Sequence, residues 1–106
     1  MRAKPDPMFA VKVIHEDEVS CARYSPSSGK IEFDEPYGFL SKLLSVRKIL
    51  ENGDIVFAYI FDGDYLPRLF TLSKGSPIII KDYVPIKGKE TFIKIVISMA
   101  SDKTAS

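Results

Sequence analysis

Asp34-Glu35-Pro36-Tyr37-Gly38-Phe39-Leu40-Ser41-Lys42-Leu43-Leu44-Ser45-Val46-Arg47-Lys48-Ile49-Leu50-Glu51-Asn52-Gly53 decides how the rest of this chain is read. Asp34-Glu35-Pro36 has the form of a helix start, an acidic cap followed by a proline near the first turn. Phe39, Leu43, Val46 and Leu50 recur at intervals of four, three and four, and Leu40 and Leu44 widen the stripe. Lys42, Arg47 and Lys48 fall toward the other side. That spacing predicts an amphipathic helix over 36–50 with its apolar face packed on another layer. Asn52-Gly53 supplies the stop, because glycine takes the left-handed cap conformation at little cost.

On either side the pattern changes to that of strands. Phe9-Ala10-Val11-Lys12-Val13-Ile14 alternates and is rich in β-branched residues. His15-Glu16-Asp17-Glu18 is a charged turn, after which Val19-Ser20-Cys21-Ala22-Arg23-Tyr24 pairs back as a hairpin. Ser25-Pro26-Ser27-Ser28-Gly29 is a loop by composition, and Lys30-Ile31-Glu32-Phe33 extends or re-enters the sheet. Beyond the helix, Ile55-Val56-Phe57-Ala58-Tyr59-Ile60-Phe61 is almost wholly apolar, as a strand covered on both faces would be. Asp62-Gly63-Asp64 turns, Arg68-Leu69-Phe70-Thr71-Leu72 resumes as a strand, and Ser73-Lys74-Gly75 turns again. Residues 76–84 read either as a strand, from Ile78-Ile79-Ile80, or as a short helix capped by Ser76-Pro77. Lys87-Gly88-Lys89 turns into the closing strand, Thr91-Phe92-Ile93-Lys94-Ile95-Val96-Ile97.

Two strands, a helix, two strands, a short element and a last strand make an α+β order that resembles the ubiquitin-like β-grasp roll. That fold implies a mixed sheet of four to five strands, one main helix on one face, and a last strand returning beside the first. Another α+β roll remains open. The expected domain is 8–98, with loose ends over 1–7 and 99–106.

Composition narrows the function. The chain has 106 residues, 45% of them apolar and 27% charged, with a net charge of +1. One core is affordable, and the charge balance gives no basic excess to drive nucleic-acid binding. The single cysteine, Cys21, permits no internal disulfide and no cysteine-rich zinc site, which favours a reducing, cytoplasmic setting. No apolar run reaches the roughly 20 residues of a membrane-spanning helix, and no membrane partner is expected.

Few residues invite chemistry. His15 is the one histidine and lies among charges typical of an exposed turn. Asp62-Gly63-Asp64 lacks the further oxygen ligands and late glutamate of a calcium loop and reads as a turn. Glu16, Asp17, Glu18, Asp34 and Glu35 are expected to be solvated. The glycines sit singly, so no phosphate loop is present. Phe57, Tyr59 and Phe61 share one strand face, but no basic residue interrupts that run, and RNA-binding sheets flank their aromatics with cations. No enzyme activity, cofactor, metal or nucleic acid is therefore expected, and a non-catalytic protein–protein interaction or scaffold module is. The competing class is a ligand-binding protein or small enzyme whose pocket, around His15 or Cys21, only the fold assembles.

Two families sharpen this. Arg68-Leu69-Phe70-Thr71-Leu72, Ile79-Ile80-Lys81-Asp82-Tyr83 and Phe92-Ile93-Lys94-Ile95 resemble the second half of a doublecortin domain, with Ser73-Lys74-Gly75 where that family has Asp-Gly. The resemblance implies a tubulin partner, with Lys42, Arg47 and Lys48 facing it. Lys12 on the first strand and Asp62-Gly63-Asp64 after the third resemble the basic and acidic poles of a Phox–Bem interaction domain. That resemblance implies self-association in which Lys12 of one copy meets Asp62 and Asp64 of another.

Overall fold

The computed structural model describes residues 9–100, and among them there is no α-helix. Nine strands form three antiparallel sheets around one core, and the expected α+β roll with a mixed sheet and a main helix is overturned.

The first sheet has four strands in the order β2-β1-β9-β8. β1 is Phe9–His15, β2 Glu18–Cys21, β8 Ile78–Ile86 and β9 Lys89–Met99. The closing strand arises where the alternating residues placed it, and β9 returns beside β1, antiparallel to it; the hairpin forms only over Glu18–Cys21, and Arg23-Tyr24, expected to continue it, leaves for another sheet. Of residues 76–84, those from Ile78 onward resolve as strand. The reason is the turn that follows, where Lys87 and Gly88 both have positive φ, 53° and 78°. That two-residue geometry matches the twist of antiparallel strands and locks Ile86 opposite Lys89. Met99, assigned to a loose end, is the last residue of β9 and packs in the core. Residues 1–7 and 101–106 lie outside the described residues.

The second sheet is the pair β3 (Arg23–Ser25) and β4 (Lys30–Glu32). The third, in the order β5-β6-β7, comprises Leu44–Ile49, Ile55–Tyr59 and Arg68–Leu72.

The segment read as a helix divides. Tyr37 N–H donates to the Asp34 carbonyl at 2.8 Å, and a 3-10 helix covers only Gly38–Lys42. The chain then runs extended as β5. Asn52-Gly53 turns β5 into β6, with Gly53 at φ 95° and Leu50 N–H on the Asp54 carbonyl. A left-handed glycine serves a hairpin as well as a helix end. The strand also carries a bulge. β5 slips register between Val46 and Lys48, so Arg47 is an extra residue, and the positions paired with Phe57 and Ile55 become Val46 and Ile49, three apart. Val46 and Ile49 are β-branched, and Ile55, Val56, Phe57 and Tyr59 wait across the turn, so the ladder outcompetes the helix. Leu40 and Leu44 are fully buried, whereas Phe39, Leu43, Val46 and Leu50 are only half-buried.

Inward residues of all three sheets share the core. Val13, Ile80, Ile93, Ile95 and Ile97 come from the first, Ile31 from the second, and Leu44, Ile55, Phe57, Tyr59 and Leu72 from the third. Phe9 of β1 meets Phe57 of β6 edge to face, ring centres 4.9 Å apart. One polar residue is buried with them, Asp82 of β8, 8% exposed. Its carboxylate accepts from the Tyr59 hydroxyl at 2.7 Å, the Asp62 N–H at 3.1 Å and the Tyr83 N–H at 2.8 Å. A buried carboxylate is tolerable when its lone pairs are filled in this way.

Candidate functional site

Because side chains alternate along a strand, the four-stranded sheet has a second face turned away from the core. Register assembles it in rungs. Tyr83 lies opposite Phe92. The next rung is Lys81, Lys94, Ile14 and Val19, and the one after is Ile79, Val96, Lys12 and Cys21. Rungs are about 6.8 Å apart, so the two aromatics and three lysines form one contiguous surface.

This face is apolar where a solvated face would be polar. Tyr83 is 58% exposed and Phe92 41%, with ring centres 5.1 Å apart; Ile79 and Val19 are more than half exposed. Scattered exposed apolar side chains are ordinary, whereas a contiguous set on a rigid sheet marks a contact surface. Its charge is one-sided. Lys81 and Lys94 stand directly across from each other, an arrangement that destabilises a sheet. Among the described residues none of Lys12, Lys81 and Lys94 is in an ion pair, and Arg23 with Asp34, at 2.9 Å, is the pair that forms. The strand positions on this face carry one carboxylate, Glu90, at the end beside Pro85.

A second feature projects from the third sheet, the connection 60–67 between β6 and β7. Its base is held by Ile60 N–H on the Leu43 carbonyl, by Asp64 N–H on the Phe61 carbonyl, and by Asp62 N–H on Asp82. The Arg68 guanidinium lies over the Phe61 ring at 5.0 Å. From this base the tip extends into solvent, with Tyr65 95% and Leu66 77% exposed. Asp62 and Asp64 are exposed beside them.

The residues singled out from sequence divide accordingly. Lys12 is half-buried on the open face, and Asp62 and Asp64 flank the projecting tip. Within one molecule no ion pair joins them, among the described residues. Lys42, Arg47 and Lys48 do not share a helix face, since no such helix exists. Lys42 ends the 3-10 helix, while Arg47 and Lys48 sit at the β5 bulge, lining a shallow groove with Val56, Pro67 and Leu69. His15 lines an open cleft of about 700 Å³ with Glu16, Lys89, Glu90 and Thr91, and no hydrogen bond among the described residues ties it to a nucleophile or carboxylate. Cys21 is exposed. No group of three or more His, Cys, Asp or Glu is placed to hold a metal, and no helix is long and apolar enough to cross a membrane, both among the described residues.

Lys81, Tyr83, Phe92, Lys94 and Ile79 were quoted for the doublecortin resemblance but not picked out as site residues from sequence. The signal was present: a two-residue turn at Lys87-Gly88 pairs every residue of β8 with a partner whose number makes the same sum, so 83 meets 92 and 81 meets 94. Leaving 76–84 open between strand and helix concealed it. Phe57 and Tyr59, weighed as an aromatic platform, are core. Comparison with known proteins finds no matching family model, no matching curated protein and no matching solved structure.

Proposed function

We propose that this protein is a non-catalytic interaction module that docks an acidic partner protein on the outer face of its four-stranded sheet. The observation that carries the reading is the combination of exposed apolar residues, Ile79, Tyr83 and Phe92, with an opposed lysine pair that no ion pair among the described residues compensates. Apolar area supplies affinity, and the three cations select sign and orientation. A carboxylate brought between Lys81 and Lys94 relieves a repulsion already present in the free protein.

The test compares immobilised wild type with Tyr83→Ser/Phe92→Ser. Both positions are exposed, so the fold should persist, as circular dichroism can verify. The reading expects an acidic protein retained from extract by wild type, released by raised salt and not retained by the variant. Equal retention by the two would overturn it.

A further inference from the structure

We infer that the acidic partner is a second copy of this chain, whose 62–67 tip docks on the four-stranded sheet of its neighbour. The inference rests on the docking reading above and names the occupant. The two surfaces are complementary in sign and in polarity. The tip offers two exposed carboxylates, Asp62 and Asp64, beside Tyr65 and Leu66, the two most exposed large apolar side chains among the described residues. The face offers Lys12, Lys81 and Lys94 around Tyr83, Phe92 and Ile79. In the single molecule the tip is left uncovered, with Tyr65 95% exposed.

The tip is also prepared for docking. Backbone bonds at Ile60, Asp62 and Asp64 fix its base, so little ordering is required on contact. Asp62 is anchored through its N–H by the buried Asp82, and the residue itself is exposed. Tip on face is a contact between two different surfaces, so each copy keeps one of each free after the first contact. Such a contact propagates head to tail and closes only if the rotation allows a ring. One tip on one face is smaller than a standard interface, so the association is weak and concentration-dependent.

The experiment has three arms on the full chain. Analytical ultracentrifugation at low salt should show mass rising with concentration and falling back with salt. Lys94→Glu or Asp64→Lys should each weaken this by about tenfold or more. Mixing Tyr83→Ser/Phe92→Ser, which keeps a good tip, with Tyr65→Ser/Leu66→Ser, which keeps a good face, should yield dimers that grow no further. Carbodiimide cross-linking of mixed light and 15N-labelled wild type should join Lys12, Lys81 or Lys94 of one copy to Asp62 or Asp64 of another. A monomer at the highest concentration, or cross-links elsewhere, overturns the inference. If the chain stays monomeric while the face variant still loses a partner from extract, the docking face stands and only self-pairing falls. A labelled single-stranded oligonucleotide bound by the monomer and lost with Tyr83→Ser/Phe92→Ser overturns it in favour of nucleic acid, for which stacked aromatics flanked by lysines are also suited.

Discussion

The Tyr59 hydroxyl donates to the Asp82 carboxylate across 2.7 Å, joining the middle strand of the third sheet to the edge strand of the first. The same carboxylate holds the Asp62 N–H, so one buried acid ties the two sheets together and seats the base of the projecting tip. Core packing and the candidate site therefore meet at one residue.

Removing that acid should be worse than removing its phenol partner. Tyr59→Phe withdraws one donor from Asp82 and should lower the unfolding free energy by about 1–3 kcal/mol. Asp82→Ala leaves the Tyr59 hydroxyl and two backbone N–H groups without their acceptor, and should exceed it. Urea denaturation measures both, and an Asp82→Ala loss no larger than that of Tyr59→Phe would contradict this account.

Alkaline pH should expose the same pair. Burial first, and then the hydrogen bond to Asp82, pushes the Tyr59 phenol far above its ordinary value of 10.0. A phenol with a raised folded-state pKa contributes its stability in full below the unfolded value and loses it as pH climbs toward the folded one. Thermal midpoints should thus hold to about pH 10 and then decline. The decline should be shallower in Tyr59→Phe, and parallel curves for the two proteins would remove Tyr59 as its source.

Within the segment read as a helix, burial ranks the leucines differently from the periodicity. Leu40→Ala empties a fully buried site and should cost about 2–5 kcal/mol. Leu43→Ala, at a half-buried site, should cost clearly less. Calorimetric midpoints decide it, and a larger drop for Leu43→Ala would restore the stripe.

Lys81→Glu should move stability and binding in opposite directions. It turns a repulsive cross-strand pair with Lys94 into an attractive one, raising stability by roughly 0.2–1 kcal/mol. It also removes a cation from the open face and should weaken self-association. A variant both less stable and undiminished in association would show that this lysine pair has no part in docking.

Much of the local structure was legible in the residues. β1, β6, β7 and β9 lie where alternation and β-branched runs placed them, and the turns at Glu16-Asp17 and Lys87-Gly88 are where glycine or charge marked a change of direction, whereas Asn52-Gly53, read as a helix stop, turns a hairpin. The segment 34–50 was not legible, because its apolar spacing fits a helix and the ladder that overrides it is made with residues beyond the turn. Lys12, Asp62 and Asp64 could be chosen as charges of opposite sign, but not as members of two separate surfaces.

By itself, the sequence determined which residues are apolar, where the chain turns, and that Lys12 is opposite in charge to Asp62 and Asp64. Those properties are local, set by side-chain chemistry and by the few residues on either side. The tertiary structure decided that 44–49 is a strand, because the ladder to Ile55–Tyr59 becomes available only once the Asn52-Gly53 turn has brought the two segments together. It also decided that Tyr83 meets Phe92 and Lys81 meets Lys94, since opposition across a sheet depends on register and not on nearness along the chain. The open face is a product of that register, and so is the repulsion that an acidic partner would relieve.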